Sequence, residues 1–489
     1  ALDCRRECDV FYDYKMHSAI CVHRAEAAAM KDHSTPKIDE LRAFEARHPG
    51  FTDCDVLWTN LSGTLRGKRL RWHEVESVFT GGRPFPGSML VADIIGEDCD
   101  VGGFLWAGGD ADKYGQPIPG TLKVAPGAAR YAQVQVAMHE RDGRPVLLDP
   151  RNILDSVVMR FAELHLTPVV ACELEFYLVD AEAAVASRAE PPKLLTSAQR
   201  FQHQTYLVRD MQDMRPFFDD MYATCAAQDV PLGCGLSEFG PGQFELTLLH
   251  RADAGRAVDE AIQFKHTVKT VALRHGMEAT FMAKPYDGQP GNGMHLHVSL
   301  LDADGVNIFG DDNEEGSPRL RHAIGGMARL MPESFAIFAP NANSYRRFRS
   351  KSFAPTTPRW GVDNRTVSLR VTTGAPATRH VEHRVSGSDA NPYLAVAAML
   401  AGAHYGLVNK IDPGPPIVGD GYLAPVPAGK PCLPRHWYEA TDWMEAGKVL
   451  PTYMGREFVD NYIAVKRHEQ DRFYGENTVR DYDWYLRNA

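Results

Sequence analysis

The chain has 489 residues, of which 44% are hydrophobic and 24% are charged, and its net charge is −10. This length allows two or three domains with a large buried core, and the composition is ordinary for a globular protein. The acidic excess argues against a nucleic-acid-binding surface, because no surplus of basic residues is available to displace phosphate counterions.

The first 35 residues carry charges throughout and contain no apolar signal-peptide core. They are predicted to form a helical extension that ends near Ser34, Thr35 and Pro36. The nine cysteines are scattered without the paired spacing of a zinc site, which indicates a pool of reduced cytosolic thiols. Together these features predict a cytoplasmic protein.

A small α+β domain is predicted over residues 36–148. It begins with a helix at Lys37–His48, which is followed by strands at Asp55–Asn60 and Lys68–Trp72. Glycine- and proline-rich segments then predict long loops up to the end of this domain.

A second, larger region is predicted over residues 149–489. It opens with a helix at Asn152–His165. Its longest apolar stretch, Leu394–Val408, is short for a membrane span and contains Gly402 and His404. This stretch therefore predicts a core helix, and no membrane association is expected.

Four predicted strands in this region place polar side chains on one face only. Residues two apart in a strand share a face, so the alternation can be read directly from the sequence. The strands are Cys172–Val179, Gln243–Leu248, Met294–Leu300 and His380–Val385. Their polar faces carry Glu173, Glu175, Tyr177, Gln243, Glu245, Thr247, His295, His297, Ser299, His380, Glu382 and Arg384. An antiparallel sheet with a solvated face is the simplest explanation for any one strand. Each of the four faces, however, carries glutamate or histidine and none carries lysine, which indicates a metal site.

Clustered carboxylates repel one another, so a site that holds several of them needs a cation or protons. Oxygen-rich ligands with an occasional imidazole favour Mg²⁺ or Mn²⁺ over zinc. Taken singly, each candidate also has an ordinary structural explanation: Glu382, beside His383 and Arg384, could simply form an ion pair. The candidate ligands are Glu173, Glu175, Glu238, Glu245, His295 and Glu382.

Arginine recurs between residues 346 and 384. A solvated surface is the usual explanation of such a run. However, Arg370 and Arg384 lie in strand-like segments and Arg365 precedes one, and guanidinium groups suit bidentate binding of phosphate or carboxylate. Metal ions with arginines are typical of phosphoryl transfer, and no Walker loop or kinase signature is present.

From about residue 38 to the C-terminus, the order of motifs resembles the glutamine synthetase family. Seven segments carry the resemblance, in the family's order and at its spacing. They are DPRNIL at 149–154, ELEF at 173–176, SEFGPGQFE at 237–245, KPYDGQPGNGMHLHVSL at 284–300, NANSYRRF at 341–348, WGVDNRTVSLRV at 360–371 and HVEHRVSGSDANPYLAVAAML at 380–400.

The resemblance implies an α+β subunit in which a small β-grasp-like domain precedes a catalytic domain with a curved antiparallel sheet, the half-barrel. It also implies a homo-oligomer, a dodecamer of two stacked hexameric rings, with each active site between one subunit's barrel and its neighbour's small domain. The expected substrates are glutamate, ATP and an amine, and the expected cofactor is Mg²⁺ or Mn²⁺, two or three ions per site.

The resemblance also assigns roles by position. Glu175, Glu238 and Glu245 match the ligands of the metal nearest glutamate, and Glu173, His295 and Glu382 match those of the metal between the nucleotide phosphates. The remaining assignments are His297, Ser299 and Arg370 for ATP; Gly291, Arg347 and Arg384 for glutamate; and Arg365, Arg370 and Arg347 as catalytic arginines. The implied reaction activates the γ-carboxylate as γ-glutamyl phosphate, from which an amine displaces phosphate.

The chain departs from family members that use ammonia at the flap after the NSYRR-type motif. Phe353 stands where those enzymes place a glutamate that takes a proton from ammonium, and Pro86 stands where a second ammonium-binding carboxylate is expected. An aromatic residue suits an apolar amine instead. Phe353 is therefore the predicted determinant of amine specificity. The alternative interpretation is that Phe353 is ordinary flap packing and that the alignment slips by one residue.

The text around the flap resembles γ-glutamylputrescine and γ-glutamylpolyamine synthetases, which predicts a polyamine, diamine, alkylamine or aromatic amine as the substrate. A diamine needs an anionic partner, for which Asp93, Glu97 and Asp98 are candidates. His380 and Pro290 replace an arginine and an asparagine of many relatives, near the nucleotide and glutamate respectively. The alternatives are ordinary glutamine synthesis from ammonia, a guanidino kinase, and a catalytically silent homologue that acts as a scaffold or sensor.

Overall fold

The computed structural model describes residues 37–127, 130–195, 205–424 and 432–489. The predicted helical extension at residues 1–35 lies outside these ranges. Two β-sheets account for the strands of the described chain, one on each side of residue 149. The division into domains at 36–148 and 149–489 remains a prediction.

The first sheet has six strands in the order β2-β1-β6-β4-β3, with β5 paired to β6. β1 pairs with β2 antiparallel and with β6 parallel, which is the mixed pairing expected of a β-grasp domain. The helix Lys37–Arg47 turns Leu41 and Phe44 into the core of this part. The strands are β1 (Asp53–Thr59), β2 (Leu65–Arg71), β3 (Arg83–Pro86), β4 (Asp112–Pro117), β5 (Lys123–Val124) and β6 (Tyr131–His139).

The second sheet has eight strands in the order β12-β13-β14-β11-β7-β9-β8, with β10 paired to β7. All pairs are antiparallel except that of β12 with β13. The sheet curves into a half-barrel, so the predicted α+β fold is confirmed. The strands are β7 (Thr167–Asp180), β8 (Leu232–Ser237), β9 (Gln243–Leu248), β10 (Met277–Thr280), β11 (Met294–Leu301), β12 (Trp360–Val362), β13 (Leu369–Val371) and β14 (Val381–His383).

Long helices cover the apolar side of this sheet. The apolar stretch near residue 400 forms the helix Pro392–Asn409, which is buried along most of its length, as predicted for a core helix. It packs closely on the helix Pro318–Leu330, because Gly326 lies where any Cβ would meet Gly402 and Gly406. Within the described residues, no helix is both long and apolar enough to cross a bilayer. The other long helices are Pro150–Ala162, Arg215–Ala227, Ala254–Arg274, Trp437–Ala446 and Arg456–Gly475.

Shorter elements connect these layers. The helix predicted from Asn152 begins at Pro150, because the Asp149 side chain caps it by accepting the N–H groups of Arg151 and Asn152. Short helices lie at Glu76–Gly81, Ala181–Val185, Val208–Asp213, Phe335–Phe338, Leu450–Met454 and Val479–Tyr485, and 3₁₀ turns at Trp72–Glu74, Gly87–Leu90, Ala342–Arg346 and Pro376–Thr378.

Candidate active site

The register of the second sheet brings the predicted polar faces together. Glu175 lies opposite Glu245 on β9, and Glu173 lies opposite His295 on β11. His297 lies opposite Glu382 on β14, which in turn pairs with Arg370 on β13. Directly opposed residues of antiparallel strands point to the same face. Carboxylates, imidazoles and a guanidinium therefore converge on one face of the half-barrel.

Two groups that combine carboxylates with an imidazole have, among the described residues, the composition of a metal site on this face. One consists of Glu173, His295 and Glu382, and the other of Glu175, Glu245 and His295, with the ligand atoms of each group within 4.8 Å of one another. The Nδ1 atom of His295 lies 3.5 Å from both Glu173 and Glu382. The first group is the predicted one.

The second group differs in part from the predicted set. Glu175 and Glu245 are together as expected, but the third member is His295 in place of Glu238. Glu238 follows β8 in the loop that leads to β9, and its charge contributes to the raised pKa values of Glu175 and Glu245. It therefore lies beside this group, close enough for its charge to act on both carboxylates.

The electrostatics of the two groups fit bound cations. Burial, together with the Glu238 carboxylate, raises the pKa of Glu175 to about 8. Burial and three neighbouring carboxylates raise the pKa of Glu245 well above its ordinary value. Burial lowers the pKa of His295 to about 4, which keeps its imidazole neutral and able to ligate. Buried carboxylates that repel one another and a neutral imidazole form a donor set for Mg²⁺ or Mn²⁺.

Arginines surround the group that contains Glu382. Its Oε1 accepts a hydrogen bond from Arg384, and its Oε2 lies 3.1 Å from Nη1 of Arg370. Arg370 is also paired with Asp363. Despite burial, which opposes ionisation, Arg384 and the nearby imidazole and guanidinium groups lower the pKa of Glu382. Arg365 is exposed. Burial raises the pKa of Glu238 and the charge of Arg365 opposes that rise, so the two side chains lie near each other.

The predicted glutamate-binding residues lie beside Glu175. Arg347 is buried and donates from Nη1 to the carbonyl of Val385 at 2.7 Å. Gly291 leaves no room for a side chain, because a Cβ there would lie 2.5 Å from the carbonyl oxygen of Ala283 and 2.8 Å from Cγ of Arg347. The backbone here therefore approaches the guanidinium stem as closely as glycine allows.

Two residues near this pocket were not predicted from the sequence. The N–H of Gly293 donates to Oε2 of Glu175 at 2.6 Å, and the Ser388 hydroxyl donates to the Gly293 carbonyl at 2.6 Å. These contacts fix the position of Glu175. A backbone donor carries no side-chain signal, so only the glycine-rich sequence around residue 291 could have indicated Gly293. Ser388 lies within the motif at 380–400 that carries the family resemblance.

The predicted nucleotide-binding residues lie further along β11. His297 is buried, with its Nε2 atom 3.3 Å from Glu173, and Ser299 is fully buried. His380, which replaces an arginine of many relatives, is buried beside His297, and burial lowers the pKa of its imidazole to about 3. His250, which the sequence reasoning did not single out, joins these two imidazoles.

The predicted specificity residue is in an unusual conformation. Phe353 has 62% of its surface exposed and a φ of 57°, in the left-handed region that bulky side chains rarely adopt. Lys351 in the same loop also has a positive φ, of 62°. Residues held in such conformations cluster at ligand-binding loops.

Comparisons with known proteins agree with this geometry. Residues 147–485 match the family model described as glutamine synthetase, catalytic domain. The chain is 35% identical to gamma-glutamylputrescine synthetase PuuA of Escherichia coli (strain K12), over 92% of this chain and 95% of that one. It is 33% identical to the glutamate–isopropylamine ligase of a Pseudomonas species, over 77% and 81% of the two chains. A solved GmaS/ADP complex superposes with a TM-score of 0.79 at 27% identity, covering 90% of this chain and 98% of that one.

Proposed function

The chain is an ATP-dependent ligase of the glutamine synthetase family, and we propose that it joins the γ-carboxylate of glutamate to an amine other than ammonia. The observation that carries the proposal is the exposed Phe353 in the flap, where ammonia-using members place a glutamate. Similarity to a gamma-glutamylputrescine synthetase and to a glutamate–isopropylamine ligase supports the same reaction class.

In the first step of the proposed reaction, an oxygen of the γ-carboxylate attacks the terminal phosphorus of ATP. The bond from that phosphorus to ADP breaks, and γ-glutamyl phosphate forms. Arg347 would orient the glutamate, while Arg370 and Arg365 would stabilise charge on the phosphate oxygens. When bound by Glu173, Glu175, Glu238, Glu245, His295 and Glu382, Mg²⁺ or Mn²⁺ would neutralise phosphate charge, with two or three ions per site.

In the second step, the amine nitrogen attacks the acyl carbon and phosphate leaves with the electrons of the C–O bond. The nitrogen loses one proton, so the products are a γ-glutamyl amide, ADP and phosphate. Phosphorylation is needed because a free carboxylate has no adequate leaving group. An apolar flap residue such as Phe353 would cover this reactive acyl phosphate while offering a surface to an alkyl or aromatic group.

The contacts of the loop around Asp93 bear on the amine class. The Asp93 carboxylate accepts backbone N–H groups of its own loop, and its Oδ2 lies 2.8 Å from Nη1 of Arg472. Glu97 also pairs with Arg472, at 2.7 Å. Both acids pair with Arg472 of the helix Arg456–Gly475, whereas Asp98 is exposed and lies outside these pairs. Of the three candidate partners for a diamine's distal ammonium, Asp98 is the one we retain.

We propose further that the assembly is a dodecamer of two hexameric rings, in which the neighbour's small domain completes each site. Support comes from the family resemblance of the whole chain beyond residue 38. Mass photometry of the purified protein tests the assembly directly: twelve subunits per particle are expected, and a stable monomer with full activity contradicts this part of the proposal.

The decisive experiment measures phosphate release from ATP with glutamate and a panel of amines. The panel contains ammonium, putrescine, spermidine, ethanolamine, isopropylamine and aniline, and mass spectrometry identifies the amide formed. One of the larger amines is expected to give the highest kcat/KM. The Glu245→Gln variant serves as the matched control that should lose turnover with every amine. Preference for ammonium would overturn the proposal.

A further inference from the structure

Three buried imidazoles form a compact cluster beside the carboxylate groups described above. His250, His297 and His380 have 4%, 2% and 3% of their surfaces exposed. Their ring centroids form a nearly equilateral triangle, with separations of 5.1, 5.4 and 5.7 Å. One nitrogen from each ring lies within 4.8 Å of the nitrogens of the other two. We call these three residues the imidazole cluster.

The sheet register explains why the rings converge. His297 on β11 lies opposite Ala171 on β7, whose small side chain leaves space on the polar face. Just beyond β9, Arg251 is bridged to Val170 and turns its guanidinium to Glu260 of the helix Ala254–Arg274. Since successive side chains of an extended chain alternate, the residue before Arg251 points to the opposite, polar side. His250 therefore enters the space over Ala171.

Hydrogen bonds to His380 and His297 favour the tautomers that metal-binding histidines adopt. Nδ1 of His380 lies 2.8 Å from the carbonyl oxygen of Thr378 and therefore donates to it, which leaves the lone pair on Nε2. Nε2 of His297 lies 3.3 Å from Oε1 of Glu173, so a proton on Nε2 leaves the lone pair on Nδ1. A second ring nitrogen bonded to a carbonyl or carboxylate is the usual support of a histidine ligand.

We propose that the imidazole cluster binds a borderline transition-metal ion, Zn²⁺ or Co²⁺, at a site distinct from the oxygen-rich sites for Mg²⁺ or Mn²⁺. Three imidazole nitrogen donors select Zn²⁺, Co²⁺ or similar ions, whereas Mg²⁺ prefers oxygen-rich sites. Nitrogens around a tetrahedral zinc lie about 3.4 Å apart, since each Zn–N bond is about 2.1 Å long, so small ring rotations complete the site. Three protein ligands leave a fourth position for water or an oxygen of the nucleotide.

Cobalt binding in the presence of excess Mg²⁺ tests the site, because Mg²⁺ occupies the carboxylate groups. The chelator-treated, full-length protein is titrated with Co²⁺, and visible absorption and bound cobalt per chain are recorded. The wild type is expected to bind one cobalt per chain with the absorption of imidazole ligation. His250→Phe keeps the ring volume without nitrogen ligands, and His250→Gln is smaller; each is expected to weaken cobalt binding about tenfold or more.

Two controls separate the outcomes. His404→Gln changes another buried histidine, far along the chain in the helix Pro392–Asn409, and should leave cobalt binding unchanged. Glu245→Gln should abolish ligase turnover but retain the bound cobalt, so failure of the proposed ligase function is distinguished from failure of the metal site. Cobalt binding that survives in both His250 variants, or disappears with Glu245→Gln, overturns the proposal, as does a wild type that binds no cobalt.

Discussion

At the scale of single residues, Phe353 offers the most direct test of substrate choice. Replacement by glutamate restores the carboxylate that ammonia-using relatives have in the flap. We expect Phe353→Glu to raise kcat/KM for ammonium about tenfold, because a charge-assisted hydrogen bond of about 1.5 kcal/mol has that effect on rate. We expect kcat/KM for the preferred larger amine to fall, because the apolar contact is lost. Steady-state kinetics with both amines provide the measurement.

A matched control for this flap variant is Val418→Glu, which adds the same charge at a position with 94% of its surface exposed. That change should leave kcat/KM unchanged for ammonium and for the larger amine. If Phe353→Glu shows no gain with ammonium, the flap residue does not determine the nucleophile.

Gly291 tests the glutamate pocket. A methyl group there would meet the Ala283 carbonyl and the Arg347 side chain at less than van der Waals distance. Gly291→Ala is therefore expected to push Arg347 aside, to raise KM for glutamate about tenfold, and to destabilise the fold by about 1–3 kcal/mol. Substrate-saturation kinetics and thermal unfolding measure the two effects.

Gly81→Ala is the control for this change, because the space around Gly81 is open and its φ is not positive. It should behave as the wild type in both measurements. A Gly291→Ala variant that loses stability but keeps the wild-type KM for glutamate would show that Gly291 has only a packing role.

At the scale of elements, the pairing of β7 with β9 makes the free energy of unfolding of the metal-free protein depend on pH. Glu175 has its pKa raised to about 8 by burial and by Glu238, whereas the unfolded chain ionises near 4.5. Between these values the folded state holds a proton that the unfolded state releases. Stability contributed by this group therefore decreases as pH rises through the interval, by at most about 1.4 kcal/mol per pH unit, and levels off above pH 8.

We expect Glu175→Gln to stabilise the chelator-treated protein relative to the wild type, and to do so increasingly from pH 6.5 to pH 8. The comparison must be a difference, because Lys265, whose pKa burial lowers to about 7, titrates in the same range with the opposite sign. Denaturant unfolding at several pH values gives the difference. If the difference in free energy of unfolding between Glu175→Gln and the wild type does not change with pH, Glu175 is already ionised in the metal-free protein.

Added Mg²⁺ provides a second measurement at this scale. Protons and the cation compete for Glu175 and Glu245, so the rise in Tm on adding Mg²⁺ should be larger at pH 8 than at pH 6.5. In Glu175→Gln most of this rise should disappear. An equal rise in the variant would place the cation elsewhere.

The same strands show what the sequence could and could not predict. Alternation of polar and apolar residues predicted β9 with its observed bounds and β11 to within one residue, because burial of one face dictates the period. The strand predicted at His380–Val385 pairs over three residues only, since β13 beside it is equally short. Alternation predicts which face of the sheet a side chain points to, but not which strand lies beside it. The period could not show, for example, that His295 lies within 4.8 Å of both Glu175 and Glu245.

His250 illustrates the same limit. It lies beyond the end of β9, where the polar face carries the odd-numbered residues. Continuing the alternation of β9 to residue 250 would therefore place His250 on the apolar face. The bridge between Val170 and Arg251 changes the direction of the backbone there, so that the His250 side chain points to the polar face. By contrast, Gly291, Arg347 and Arg384 were predicted through family resemblance, because a buried arginine beside glycine has no periodic signature. Their proposed roles still await the kinetic tests.

At the scale of the whole molecule, polar contacts fix the first sheet against the catalytic region. The Asn391 amide donates to the carbonyl of Asn60 at 3.0 Å. The helix Arg456–Gly475 adds Arg472, which pairs with Asp93, and Glu469, whose Oε1 accepts the N–H of Ile94 at 2.8 Å. In the proposed ring, the orientation of this sheet decides how well it completes a neighbour's site. Stability of the interface and turnover should therefore be linked.

The buried pair of Lys466 and Glu469 allows that link to be tested. Their charged atoms lie 2.7 Å apart, and 1% and 4% of the two side chains are exposed. Glu469→Gln keeps the shape but leaves the Lys466 charge buried without its partner, which is expected to cost about 3–5 kcal/mol. The double variant Lys466→Met/Glu469→Gln removes both charges and should recover most of that loss, together with the lost turnover.

The control is Arg456→Ala, which breaks an exposed pair with Asp460 on the same helix and should cost less than about 1 kcal/mol of stability. Thermal unfolding and kcat, measured on all three variants, decide the matter. A double variant as unstable as the single one would mean that the hydrogen bond that the Glu469 carboxylate accepts from Ile94, rather than the buried charge of Lys466, accounts for the loss.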